Sequence, residues 1–169
     1  GNLLTLKKHF GDSSGTPRTP KQEFSVELVE ECHQKLPLSI RQYLNARGVS
    51  DETIIRFKLG YGTFYRKKWI TIPIKDQEGQ YSFFKLRQDP EDTTNPDKYK
   101  FYPSGSSATI FGWDMLEGNK DRIVICEGEF DSILLNAHGV PAITSTAGAM
   151  TFKEEWIEQL KNLKKIYLC

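Results

Sequence analysis

Glu127, Glu129 and Asp131 stand at alternate positions in Cys126-Glu-Gly-Glu-Phe-Asp131, directly after the apolar run Arg122-Ile-Val-Ile-Cys126. Clustered carboxylates of this kind can hold a divalent cation or act as general acids and bases. A continuous apolar run reads as a strand covered on both faces, and in open α/β sheets ligands gather beyond the carboxyl ends of such strands. Glu127 is thereby brought to the rim of a sheet, and Gly128 turns the chain into a helix. The same acids also suit plain capping, because carboxylates favour helix starts. These ten residues alone leave both roles open.

A second set of groups carries the opposite charge. The formal net charge is only +1, yet Arg56 to Lys100 holds ten basic and six acidic residues, whereas Phe101 to Cys169 holds six basic and nine acidic. Aromatics interleave the basic segment, in Phe64-Tyr-Arg-Lys-Lys-Trp69 and at Tyr81, Phe83, Phe84 and Tyr99. Such a surface can follow the phosphates of a single strand and stack its bases; a solvated hairpin face is the plainer account. Strand alternation puts Ser82, Phe84 and Leu86 on one side and Tyr81, Phe83, Lys85 and Arg87 on the other, with Lys85 and Arg87 expected as the exposed pair.

The elements that must position these groups can be read outward from Glu127. Apolar residues at helical spacing (Phe130, Ile133, Leu134, Ala137) predict a helix over Phe130–His138 with Gly139 as its C-cap. Val140–Thr144 reads as a second buried strand, followed by the small-residue loop Ser145–Ala149. A second helix is expected over 152–163, with Trp156, Leu160 and Leu163 on one side and Lys164-Lys165 suiting its dipole. Ile166-Tyr-Leu-Cys169 opens a third strand. This alternation of strand and helix predicts a parallel sheet with right-handed crossovers. Upstream, 24–36 reads as a helix. Ile40, Tyr43 and Leu44 stripe another that Gly48 stops, and Ser50 with Glu52 or Thr53 begins a third. Trp69–Ile74 and Gln80–Arg87, joined by the turn Lys75-Asp-Gln-Glu-Gly79, read as a hairpin.

Several of these segments carry a resemblance in a fixed order. Ile123-Val-Ile-Cys-Glu-Gly-Glu-Phe-Asp131 resembles the first motif of the TOPRIM fold of bacterial DnaG-type primases, a fold also used by topoisomerases and some nucleases. Leu36 to Gly62, with Arg47-Gly48 and Gly60-Tyr61-Gly62, resembles the start of the primase RNA-polymerase domain. Asp97-Lys98-Tyr99-Lys-Phe-Tyr-Pro103 resembles the Lys-Tyr-x-x-x-Pro motif, and Thr109-Ile-Phe-Gly112 the segment just before the TOPRIM core. Gly1-Asn-Leu-Leu-Thr-Leu6 is similar to the tail of the zinc-ribbon domain that precedes this module. Two departures stand out: Phe84-Lys-Leu-Arg87 replaces the usual Phe-Gly-Gly-Arg, and Gln88–Asp97 is an acidic insertion. They suggest a divergent version, such as one from a phage or mobile element.

The resemblance implies an α+β N-terminal subdomain over 23–118, then an incomplete α/β TOPRIM subdomain (Rossmann-like, parallel sheet) over 119–169, with 1–22 as remnant and linker. The second TOPRIM motif, an Asp-x-Asp pair, is expected one or two residues after Cys169. Implied activity is DNA-templated synthesis of short RNA primers by metal-dependent nucleotidyl transfer, with the fragment itself expected to be inactive. Glu127 becomes the catalytic and metal-associated carboxylate, supported by Asp131 and Glu129. Arg47, Lys85, Arg87, Lys98, Tyr99 and Gly148 become nucleic-acid or nucleotide contacts, with the glycine letting backbone amides approach a phosphate. Mg2+ or Mn2+ is the implied cofactor, its main ligands lying beyond Cys169, and zinc belongs only to a preceding domain. Implied partners are a single-stranded DNA template, ribonucleoside triphosphates and a replicative helicase. Two other classes stay open: a TOPRIM nuclease or topoisomerase subunit, and a noncatalytic nucleic-acid-binding module of a primase-helicase.

Other chemistries find little support. Cys32, Cys126 and Cys169 lack metal-ligand or disulfide-framework spacing, and Cys126 reads as a buried small hydrophobe. His9, His33 and His138 are scattered and read as ordinary residues. The linker-like Asp12-Ser-Ser-Gly-Thr-Pro-Arg-Thr-Pro20 precedes the folded part. No signal, lipidation or membrane-spanning pattern occurs, so a reducing cytoplasm is expected, with no membrane partner.

Overall fold

The computed structural model describes residues 24–118, 121–148 and 151–169. The zinc-ribbon-like segment Gly1–Leu6, the linker over 12–20 and His9 therefore lie outside the described residues. Three helices open the described chain: α1 (Val26–Gln34), α2 (Leu38–Ala46) and α3 (Asp51–Arg56). Capping sets their starts, as the Ser25 hydroxyl accepts the Leu28 N–H at 3.2 Å and the Ser50 hydroxyl accepts the Thr53 N–H at 3.2 Å. Gly48, at φ +88°, makes the left-handed turn that ends α2.

β1 (Gly60–Phe64), β2 (Lys67–Lys75), β3 (Tyr81–Gln88) and β4 (Tyr99–Tyr102) form an antiparallel four-stranded sheet in that order. The expected hairpin is its centre, with Ile70 opposite Arg87 and Ile72 opposite Lys85. Helices cover both faces. Val29 and Cys32 of α1 pack on Phe64, Trp69, Phe84 and Leu86. Ile40, Leu44 and Ile54 pack with Ile70, Ile72, Ile74 and Phe83 on the other side. Gly60 permits the first contact, since a Cβ there would lie 2.6 Å from the carbonyl carbon of Cys32.

This double cover corrects one expectation. Lys85 is buried, not exposed with Arg87, because alternation leaves a solvent face only when one side of a sheet is bare. Many of the aromatics in this segment are core, namely Phe64, Trp69, Phe83 and Phe84. The acidic insertion is also folded back: the Tyr61 hydroxyl donates to buried Asp89, and the Gln88 side-chain amide donates to the carbonyls of Asp92 and Asn95 at 3.0 and 2.8 Å.

The rest of the chain contributes β5 (Ile110–Phe111), α4 (Trp113–Glu117), β6 (Arg122–Ile125), α5 (Glu129–Ala137), β7 (Ala142–Ser145), α6 (Glu154–Leu160) and β8 (Lys165–Leu168). Strand order in this second sheet is β5-β7-β6-β8. β6 runs parallel to both β7 and β8 as expected, but β5 pairs antiparallel with β7, so the sheet is mixed. The two-residue β5, in the Thr109–Gly112 segment, is too short to signal a strand by pattern. Along β6 Ile123 is buried and Val124 and Ile125 are partly buried, with Cys126 buried just after it.

Asn136 ties α5 to β7, its amide nitrogen donating to the Ala142 carbonyl at 2.8 Å and its oxygen accepting the Ala142 N–H at 3.0 Å. Phe111, Phe130 and Ile133 join the core beneath the first sheet, so both sheets share one apolar cluster. Among the described residues no helix is long and apolar enough to cross a membrane.

Candidate active site

Glu127 lies two residues past the end of β6 and is exposed, and Gly128, in extended conformation, leads into α5 with no side-chain cap. Its neighbours from the first sheet reach the same place. A groove of about 440 Å³ is lined by Lys85, Tyr99, Lys100 and Phe101 on one side and by Glu127, Gly128, Glu129 and Thr146–Gly148 on the other. The carboxylate at the end of a parallel strand therefore does face a cationic, aromatic wall. The cations lining that wall are Lys85, one of the expected contacts, and Lys100, whereas the expected Arg87 and Lys98 do not line it.

Each expected site residue can be placed. Asp131 is exposed in the first turn of α5, and its Oδ2 lies 3.4 Å from where a Cβ on Gly128 would be. Glu129 is not free beside them: its Oε1 is 2.8 Å from Lys85 Nζ, and the two side chains are only 3% and 9% exposed. Burial pushes the Glu129 carboxyl above its usual range, against the lowering pull of Lys85. Lys85 Nζ also sits 4.7 Å from the centroid of the Tyr99 ring.

Arg87 lies just beyond the groove. It donates to the Tyr99 hydroxyl at 2.7 Å, and its guanidinium carbon is 4.9 Å from the Phe130 ring centroid. Arg47, at the C-cap of α2, is exposed and lies 5.7 Å from the same ring. Phe130 thus gathers two guanidiniums from separate elements beside Tyr99, an arrangement that can hold phosphates and stack bases. Lys98 is exposed before β4, with its carbonyl accepting the Gln88 N–H at 2.9 Å, and its side chain does not line the groove. Gly148 lines the groove at φ +99°, but its N–H donates to the Ser145 carbonyl at 3.0 Å. What that glycine gives the groove is open space.

Sequence reasoning missed Phe130, Lys100 and the pairing of Lys85 with Glu129. The first was read only as a core position of α5, and the last joins residues far apart in the chain. A larger hollow of about 700 Å³, walled in part by Trp113, Trp156 and the Ser104–Thr109 loop, lies apart from Glu127 and Arg87.

Glu127 lines the groove, Asp131 is exposed one turn on but does not line it, and among the described residues no group of three or more His, Cys, Asp or Glu is placed to hold a metal. A carboxylate at the groove is the kind of hard oxygen donor that Mg2+ takes, in sites completed by substrate phosphates and water.

No family model matches the chain, and no curated protein is similar to it. Solved structures are. One of the DnaG catalytic core is 20% identical with a TM-score of 0.66, covering 85% of this chain and 59% of that one. A DnaG primase catalytic domain bound to single-stranded DNA is 20% identical with a TM-score of 0.62, over 85% and 60%. The Aquifex aeolicus primase, comprising zinc-binding and RNA polymerase domains, is 19% identical with a TM-score of 0.68, over 84% and 45%. The chain thus spans roughly half of the length of these structures, and its mixed α/β architecture is the fold of DnaG primase catalytic cores.

Proposed function

We propose that this chain forms part of the catalytic core of a DnaG-type primase, with a basic α+β subdomain over 23–118 and the first portion of a TOPRIM subdomain over 119–169. In that reading it takes part in DNA-templated synthesis of short RNA primers. The observation that carries it is the groove, in which a strand-end carboxylate from one sheet faces cations and aromatics from the other on a primase-core fold.

The chemistry is nucleotidyl transfer, in which a primer 3′-hydroxyl gives up its proton and attacks the α-phosphate of a ribonucleoside triphosphate, forming the phosphodiester as the α–β phosphoanhydride bond breaks and pyrophosphate leaves. Arg87, Arg47 and the half-exposed Tyr99 bind and orient the template strand through its phosphates and bases. Lys98 and Lys100 add positive charge along β4, and Gly148 leaves room for the nucleotide. Glu127 would hold Mg2+ or Mn2+ with Asp131, or hold a proton at its carboxylate. The ion, when bound, supplies charge stabilisation at the reacting phosphate. Further ligands are expected from an Asp-x-Asp motif following Cys169. A replicative helicase as partner and a cytoplasmic setting are compatible with this reading, and the departures at 84–87 and 88–97 suggest a phage or mobile-element version.

The competing reading is a noncatalytic module that only binds nucleic acid. The deciding experiment is ribodinucleotide synthesis on single-stranded DNA by the complete gene product with Mg2+ or Mn2+. Product formed there supports the primase reading. Strand binding without product supports the module, and neither one contradicts both.

A further inference from the structure

Eight ion pairs connect described side chains, and of these only Lys85–Glu129 is buried on both sides, joining β3 of the first sheet to α5. Stability is a poor explanation for it. Desolvating two charges offsets most of their attraction, and an apolar pair of similar volume often folds as well or better. The position of the pair is more informative. Lys85 rises from β3, an interior strand, between Phe84 and Leu86, both fully buried, so its base is fixed in the most rigid part of the molecule. Glu129 is the first residue of α5, and the junction before it runs through Gly128, which has no Cβ and no side-chain cap. The junction is held on either side of Glu127, since the Cys126 N–H donates to the Ile143 carbonyl at 2.9 Å, the Cys126 carbonyl accepts the Thr144 hydroxyl at 2.8 Å and the Gly128 carbonyl accepts the Ser132 N–H at 3.2 Å, and Lys85–Glu129 adds the tie to the first sheet.

We propose that Lys85 and Glu129 are positioning residues, a strut between β3 and the start of α5 that sets Glu127 against the groove. The pair has a second consequence. With Glu129 committed to Lys85, only Glu127 and Asp131 face outward, which fixes the acids available to a cation. Lys85 is in turn committed to Glu129 and to the face of Tyr99, so it shapes the groove wall and does not track the template. For its catalytic consequence the proposal rests on the primase reading, but the strut itself does not.

The test compares wild type with K85M/E129M, which removes both charges and leaves none buried alone, and with E129D, in which the flexible lysine can still reach a carboxylate. All are made in the complete gene product. Amide hydrogen exchange over 126–132 reads the junction directly, and steady-state primer synthesis with single-strand binding reads its effect. In K85M/E129M the junction is expected to exchange about tenfold faster or more, as local openings become cheaper. Its kcat should fall on the order of 100-fold, as a misplaced reacting group does, with nucleotide KM and strand affinity within about twofold. E129D should recover most of both losses. Wild-type exchange and kcat in K85M/E129M would overturn the proposal, and so would a loss confined to strand affinity, which would make Lys85 a template contact. If even wild type makes no primer, the primase reading fails while the exchange data still decide the strut: a loosened junction upholds it and an unchanged one removes it.

Discussion

The two sheets differ in strand direction and in what they carry. In the first, antiparallel β2 and β3 are buried on both faces from Trp69 to Ile74 and from Phe83 to Leu86, and even a lysine is enclosed. In the second, β6 runs parallel to β7, and Glu127 lies exposed two residues past the end of β6. The antiparallel sheet fixes the bases of Lys85, Arg87 and Tyr99, whereas the second presents Glu127 beyond a strand end where a ligand can reach it. The groove lies where they meet.

Several substitutions would break or sharpen that contrast. The largest effect is expected for Lys85→Met, which strands the Glu129 carboxylate and should cost ~3–5 kcal/mol in chemical denaturation, while K85M/E129M recovers most of it. If the single and double variants lose the same amount, the pair is not coupled. Deleting a buried apolar side chain from the first sheet comes next. Leu86→Ala should cost ~2–5 kcal/mol in chemical denaturation. A loss of less than about 0.5 kcal/mol, the size of a surface substitution, would mean that this face of β3 is not packed. Ser50→Ala removes the cap of α3 and should cost about 1 kcal/mol.

Binding and thiol chemistry give finer tests. Arg87→Ala should weaken single-stranded DNA binding and lower the slope of log affinity against log salt by about 0.7, the value for one phosphate contact. An unchanged slope would place the strand elsewhere. Smallest of all is the reactivity difference among cysteines. Burial pushes the thiol of Cys32 up to about 11 and that of Cys126 up to about 12, so both stay protonated and shielded. Peptide mapping after brief native alkylation should find Cys169 modified, and Cys32 and Cys126 only after unfolding. Rapid modification of Cys126 would show that the β6 end is more open than described.

Much of the architecture was legible because local chemistry announces it. Gly48 and Ser50 bracket a turn between helices, Gly139 ends α5 at φ +74°, and the turn before Gly79 sets the hairpin. The start of α5 and the strand-end position of Glu127 were read from ten residues. What escaped was set by packing between distant segments. Alternation along β3 is real, but its outcome depends on α5 and α2 arriving over the second face, which no window of β3 encodes. The same arrival turned Lys85 from an exposed cation into a buried partner of Glu129, and brought Phe130 between Arg47 and Arg87. β5 was missed because two residues carry no periodicity. Helix α6 was drawn too long, since apolar spacing continues through Phe152 and Leu163 while the helix itself covers Glu154–Leu160.

The central claim is that Glu127 does chemistry at the groove and does not merely cap a helix. Glu127→Gln in the complete gene product separates the two, because the amide keeps the shape and hydrogen-bonding size of the side chain but loses its charge. The account predicts that primer synthesis is abolished while affinity for single-stranded DNA and thermal stability stay at wild-type values. Undiminished primer synthesis by that variant would contradict it.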